Sequence, residues 1–148
     1  MNATNPTSSP SRGRLIGYWV TTVLVAFSMG SGGIADVLRI QPVVEGMTAL
    51  GYPVYFCVIL GVWKVLGTIA ILIPGTPRLK EWAYAGITFD LTGAAASHLF
   101  VGDPVAKAIA PLVLTALMFA SWALRPACRR LPSAGACAAE TRTVAEAA

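Results

Sequence analysis

Residues Val54 to Ile73 have the sequence VYFCVILGVWKVLGTIAILI, an apolar run with Lys64 near its middle. A helix needs about 20 predominantly apolar residues to cross the roughly 30 Å hydrocarbon core of a bilayer. The run meets this requirement and predicts a transmembrane helix. A central charge costs about 2.5–3.5 kcal/mol on insertion scales, so Lys64 is expected to face a partner inside the protein.

The rest of the chain has the same character. Of its 148 residues, 55% are hydrophobic and 12% are charged, and the mean hydropathy is +0.66, outside the range of soluble domains. Glycine and proline residues separate the first run from three more of similar length: Leu15 to Ile34, Trp82 to Phe100, and Val105 to Leu124. We therefore predict an all-α integral membrane protein, a bundle of four transmembrane helices.

A shorter apolar pattern lies between the first two predicted spans. In Pro42 to Leu50, the apolar residues recur at helical spacing and the polar ones fall elsewhere; the apolar positions are Val43, Val44, Met47 and Leu50. Such a pattern suits a short amphipathic helix that lies in the membrane interface instead of crossing it.

The basic residues predict the orientation of the bundle. With four spans, the two termini and the loop between spans two and three share one side. That side carries Arg12, Arg14, Arg78, Lys80, Arg125, Arg129, Arg130 and Arg142, and the other carries Arg39 and Lys107. Basic segments stay in the cytoplasm, so both termini are expected there. The net charge of +4 then indicates a lipid bilayer as partner, and no nucleic acid.

The predicted domain organisation follows from composition. Residues 15–125 form the four-helix transmembrane domain. The flanking segments, 1–14 and 126–148, are rich in small and polar residues and are expected to be disordered cytoplasmic tails.

Asp90 is the predicted partner of Lys64. If spans two and three form an antiparallel hairpin about the turn at residues 74–81, position 64 faces position 91 in depth, and Asp90 misses it by about 1.5 Å of helical rise. Both charges also lie on faces lined by small residues, which let helices approach closely in lipid. The helix-packing residues expected on these faces are Gly61, Gly67, Gly86 and Gly93.

Two interpretations of the Lys64–Asp90 pair stay open. In one, the pair fixes the register of two helices and has no other role. In the other, it lies in a ligand pocket or proton path, as intramembrane ionisable groups often do. Ser97 and His98 are further candidates for such a path, although His98 also suits a plain helix end beside Asp103.

Other residues predict less chemistry. Asp36 and Arg39 are spaced for a local ion pair or a solvated helix end. One histidine is too little for a haem or transition-metal site, so no metal site is predicted. Cys57, Cys128 and Cys137 contain no C-x-x-C motif and are expected to be free thiols.

Several stretches together resemble the DoxX-like family, within the broader DoxX group of small four-span bacterial membrane proteins. The resemblance is carried by FSMGSGGIADVLR (27–39), LGYPVYF (50–56), ILGVWKVLG (59–67), PRLKEWAYAGITFDLTGAAASH (77–98) and the following Gly102-Asp103. With the connecting segments it extends from Tyr18 to Leu124.

The resemblance implies a four-helix bundle in the bacterial cytoplasmic membrane. It also implies a membrane subunit of a redox or oxidative-stress-linked assembly, with protein partners, and a quinone or small lipophilic ligand as the compatible cofactor. The chain shows no cofactor motif of its own, so we do not expect it to be an enzyme by itself. The alternatives are a small proton-coupled carrier or permease, which four spans would favour as a homo-oligomer, and a purely structural subunit.

Overall fold

Five α-helices form the computed structural model, which describes residues 12–126 and 129–130. They are α1 (Arg12–Val37), α2 (Gln41–Ala49), α3 (Val54–Leu72), α4 (Pro77–Phe100) and α5 (Val105–Leu124). The predicted all-helical class is confirmed for these residues. Most of the two predicted tails lies outside them, and residues 12–14, predicted as tail, form the first turn of α1.

Proline and glycine set the helix boundaries. Pro77 opens α4, while Pro53 and Pro104 directly precede α3 and α5. Proline lacks a backbone N–H. At the start of a helix this costs no hydrogen bond, because the N–H groups of the first turn have no partner within the helix. Gly75 and Gly102 each have a φ of +79°, so the two chain reversals use a conformation that glycine adopts without steric cost.

The four long helices form a closed ring. α1 and α4 each pack against both α3 and α5. The connections from α3 to α4 and from α4 to α5 are short, so α4 is an antiparallel neighbour of both α3 and α5. α1 reaches α3 through α2, which packs on both of them at one end of the ring. Every long helix therefore has two neighbours around a common core.

The core is small and the outer surface is strongly apolar. Seven buried side chains from all four long helices meet in the centre: Val25, Met29, Ile71, Tyr84, Ile87, Leu91 and Met118. Large aromatic side chains point outward instead; Trp82 is 81% exposed and Phe100 is 92% exposed. A surface of this kind suits hydrocarbon, where outward apolar groups need no cover.

Three of the long helices, α1, α3 and α5, are long and apolar enough to cross a membrane. α4 contains the predicted third span and has 24 residues. It is less apolar because it carries Arg78, Lys80, Glu81 and Asp90. The chain is thus a multi-pass membrane protein.

α2 has the predicted amphipathic character. Its four apolar positions are the half-buried ones, whereas Glu45 and Thr48 are exposed. A single apolar face is enough for α2 to pack against α1 and α3.

Candidate functional site

Lys64 lies between two carboxylates on two different helices. Its Nζ donates a hydrogen bond of 2.9 Å to Oδ2 of Asp36 on α1 and is 3.9 Å from Oδ2 of Asp90 on α4. We refer to Asp36, Lys64 and Asp90 as the charged triad. Lys64 and Asp90 lie side by side at a similar depth in the bundle, but Lys64 donates its hydrogen bond to Asp36.

The position of Asp36 corrects the sequence-based expectation. Its side chain forms neither a local pair with Arg39 nor a solvated helix end; the residue is 6% exposed and turns to Lys64. Arg39 instead closes the turn after α1, where its N–H donates to the backbone oxygen of Asp36 at 3.1 Å.

Two glycines bring Asp36 to Lys64. A Cβ at Gly61 would lie 2.6 Å from the backbone oxygen of Gly33, and one at Gly33 would lie 2.9 Å from the oxygen of Gly61. Any larger residue would force the helices apart. Each glycine stands three residues before a triad member, so the closest approach of α1 and α3 is one turn from the ion pair.

The triad carries an unequal number of charges. Two carboxylates face one ammonium, so the fully ionised group has a net charge of −1. The side chain of Asp36 is 9% exposed, against 17% for Asp90 and 22% for Lys64. Asp36 is therefore the enclosed partner, and the open side of the triad presents Lys64 and Asp90.

That open side is a cleft of about 530 Å³ between α3 and α4. Lys64 and Asp90 are its charged lining residues. Its apolar walls are Leu60, Trp63, Leu66, Gly67, Ala70, Leu79, Trp82, Ala83, Gly86 and Ile87. Trp63 and Trp82 are mostly exposed on the outer surface, so the cleft is reached from the side that faces lipid.

His98 and Ser97 belong to a different end of the bundle. His98 Nδ1 lies 2.8 Å from one oxygen of Asp103, and Lys107 Nζ donates to the other at 2.7 Å. These hydrogen bonds, from Lys107 first and then His98, hold the pKa of the Asp103 carboxyl below its usual range. Ser97 Oγ is 2.8 Å from the hydroxyl of Tyr52. Two helical turns separate this cluster from Asp90, and no hydrogen bond in the described residues joins them.

The model of the DoxX-like family matches residues 20–121, about two thirds of the chain and all three members of the triad. The chain belongs to the DoxX-like family. Neither the curated proteins nor the solved structures provide a match.

Within this DoxX-like chain, the four glycines predicted to pack helices divide into two pairs. Gly61 contacts α1, and a Cβ at Gly67 would lie 3.3 Å from the Ile87 side chain of α4. At Gly86 and Gly93, nothing in the described chain lies within 4 Å of that position. The predicted packing role of Gly86 and Gly93 is therefore not seen within one copy.

The sequence-based interpretation missed the role of Lys80, which was counted as an orienting charge. Lys80 is fully buried, and its Nζ donates to the backbone oxygens of Ala70, Ile71 and Ile73 at the end of α3. These carbonyls have no partner within the helix. A lysine shortly after a helix that ends in Pro-Gly is a signal for such a cap.

Metal-ligating groups and thiols give no second site in the described part of the DoxX-like chain. Residues 12–126 and 129–130 contain no cluster of three His, Cys, Asp or Glu side chains that could hold a metal ion. Cys57 is a buried free thiol. Cys128 and Cys137 lie outside the described residues.

Proposed function

We propose that this DoxX-like protein is a membrane subunit of a redox or oxidative-stress-linked assembly, and that the α3–α4 cleft holds a quinone or a similar lipophilic ligand. The observation that carries the proposal is an apolar cleft, open towards lipid, with one ammonium and one carboxylate on its inner wall. Its volume lies within the roughly 300–1,000 Å³ of small-molecule pockets.

The residues of the cleft fit a carbonyl-bearing ligand. A lysine ammonium has three N–H donors, and Lys64 uses one of them on Asp36. The others can donate to a ligand oxygen in the cleft. Asp90 can donate as well when it is protonated, which also removes the net negative charge of the triad. A bound quinone would supply two-electron, two-proton carrier chemistry, while this chain would supply orientation and a proton-holding carboxyl.

The proposed membrane topology has four spans, with α4 as the third. At about 1.5 Å per residue, its 24 residues extend about 36 Å, enough to cross the hydrocarbon core. Its central charge faces Lys64 instead of lipid. Basic residues then gather on one side with both termini, which favours a cytoplasmic location for that side of a bacterial inner membrane.

The test is ligand retention. Wild type, Asp90→Asn and Lys64→Met are gently extracted from native membranes, and bound small molecules and partner proteins are identified by native mass spectrometry. Lys107→Met is the matched control, because it removes an exposed lysine outside the cleft. We expect a bound quinone in wild type and Lys107→Met, and reduced occupancy in the two triad variants. Equal occupancy in all four proteins would exclude this cleft as the site.

A small proton-coupled carrier is the second candidate, favoured by the excess carboxylate of the triad. Sealed proteoliposomes containing the protein would then show proton-linked substrate flux that is lost in Asp90→Asn. Flux that persists in this variant would exclude Asp90 as the coupling residue. If neither ligand nor flux is found, and assembly survives in the Lys64→Met, Asp90→Asn double variant, the purely structural role remains.

A further inference from the structure

The opposite end of the bundle from α2 concentrates positive charge. Here α1 and α4 begin and α3 and α5 end. Its basic side chains, which we call the basic end, are Arg12, Arg14, Arg78, Lys80, Arg125, Arg129 and Arg130. Within the described residues, Glu81 is the acidic residue found there. Seven basic residues and one carboxylate leave a large local excess of positive charge.

Most of the hydrogen bonds that these basic side chains donate go to neutral acceptors. Arg129 donates to the hydroxyl of Tyr18 at 3.0 Å and to the backbone oxygen of Ile71 at 3.3 Å. Arg130 donates to the backbone oxygens of Arg125 and Ala123 at 2.8 and 2.6 Å. These bonds fix the guanidinium groups in place without neutralising them, so the basic end is a preformed anion-attracting surface.

Arg125 is the most enclosed guanidinium at this end. The side chain is 3% exposed, its Nη2 donates to Glu81 at 2.6 Å, and its Nε donates to the backbone oxygen of Trp122. Its Nη1 is buried and has no hydrogen-bond partner among the described residues. A buried donor without an acceptor is costly, and a charged one especially so. Arg125 therefore carries a charged donor that the described residues leave unsatisfied.

An apolar groove of about 290 Å³ begins beside Arg125 and runs between α4 and α5. The guanidinium lies over the rings of Tyr84 and Trp122, at 4.8 and 5.5 Å from their centroids, and both rings line the groove. From Glu81 and Trp122 at its mouth, the groove extends about two helical turns along α4 to Phe89 and about one turn along α5 to Met118. The groove thus begins at the Glu81–Arg125 ion pair of the basic end and continues between apolar walls of α4 and α5.

We infer that the groove binds an anionic phospholipid, with the phosphate at the basic end beside Arg125 and Arg130 and one acyl chain between α4 and α5. The excess positive charge selects an anionic headgroup over a zwitterionic one, and the apolar walls select a lipid over free phosphate. This site is separate from the α3–α4 cleft, so it stands or falls independently of the proposed quinone-linked function.

The test measures lipid affinity by native mass spectrometry of the full chain after delipidation in detergent. Phosphatidylglycerol, phosphatidylcholine with the same acyl chains, and inorganic phosphate are the three probes. We expect phosphatidylglycerol to bind more tightly than phosphatidylcholine, and inorganic phosphate not to compete at equal concentration. Equal binding of the two lipids, or full competition by phosphate, would overturn the inference.

Two variants separate headgroup from acyl-chain recognition, and both spare the packed Arg125. Arg130→Gln should weaken phosphatidylglycerol binding about fivefold, the effect of one basic residue near a headgroup. Ala85→Phe fills the groove from an exposed position and should weaken binding roughly tenfold, the equivalent of fewer than two displaced methylene groups.

Arg12→Gln is the control. It removes a positive charge from the same end of the bundle, on α1, which does not line the groove. We expect its phosphatidylglycerol affinity to equal that of wild type. An equal loss in Arg12→Gln and Arg130→Gln would show nonspecific electrostatic attraction, and unchanged binding in Ala85→Phe would show that no acyl chain enters the groove. Either result contradicts the inference.

Discussion

At the scale of single residues, the three members of the triad differ in burial and in how closely they pair. Lys64 neutralises a carboxylate that is almost completely enclosed, whereas Asp90 has only a longer contact with Lys64 and a border on the cleft. Removal of one partner from a buried pair leaves an uncompensated charge and costs about 3–5 kcal/mol. Stability and ligand chemistry are therefore separable within the triad.

We expect Lys64→Met to lower the free energy of unfolding by about 3 kcal/mol, because two carboxylates lose their common partner. Asp36→Asn should cost less, since Asp90 remains near Lys64, and Asp90→Asn should cost the least. Unfolding in detergent, followed by circular dichroism, gives the order. Lys107→Met, which alters an exposed pair, should change stability by less than about 1 kcal/mol. Greater destabilisation by Asp90→Asn than by Asp36→Asn would contradict this account.

The hydrogen bonds of Asp103 predict how the stability of the fold changes at acidic pH. Hydrogen bonds from Lys107 and His98 depress its pKa in the folded protein. A depressed carboxyl pKa stabilises the fold above the unfolded value of about 3.9, and this contribution is lost as the pH falls through the folded pKa. Thermal unfolding between neutral pH and pH 3 should thus show a smaller acid-induced loss in Asp103→Asn than in wild type. Parallel curves for the two proteins would rule out the linkage.

At the scale of helices, the sequence predicted the elements better than their contacts. α3 and α5 begin at the predicted residues because a proline directly precedes a long, mostly apolar run at each boundary. The depth of Asp90 followed from a short hairpin loop. The partner on α1 could not be derived in this way, since the connection through α2 leaves the register of α1 open. Gly33 and Asp36, three residues apart, repeat the spacing of Gly61 and Lys64, and this repeat is the available signal.

The crossing of α1 and α3 can be tested with one methyl group. Gly61→Ala places a Cβ against the backbone of α1, which cannot move aside as a side chain could. We expect a loss of about 1–3 kcal/mol in unfolding free energy. Gly86→Ala is the matched control: it meets open space in a helix and should be neutral or slightly stabilising. Equal effects of the two substitutions would mean that the close approach does not determine stability.

At the scale of the whole molecule, the ring of four helices predicts which surfaces share a side of the membrane. If α4 crosses as proposed, Arg78 and Arg130 lie on one side, and Thr48 and Val101 lie on the other. Each of these positions is exposed and suits a single cysteine in a background without native cysteines.

Labelling with a membrane-impermeant maleimide in intact cells should modify Thr48→Cys and Val101→Cys, and should spare Arg78→Cys and Arg130→Cys until the membrane is opened. Unfolding controls in detergent check that all four thiols are reactive. Labelling of Arg78→Cys and Val101→Cys from the same side would show that α4 does not cross, and the proposed topology would fail.

The Asp36–Lys64 bond also has a consequence for biosynthesis. A ribosome delivers α1, α2 and α3 before α4, so Asp36 and Lys64 are both present before Asp90 has been made. Asp36 can then pair with Lys64 during insertion, when an unpaired charge in the bilayer is most costly. Asp90 arrives at a lysine that is already engaged. The carboxylate that is translated first, Asp36, is thus the enclosed one, and the carboxylate that is translated later, Asp90, is the one that borders the cleft.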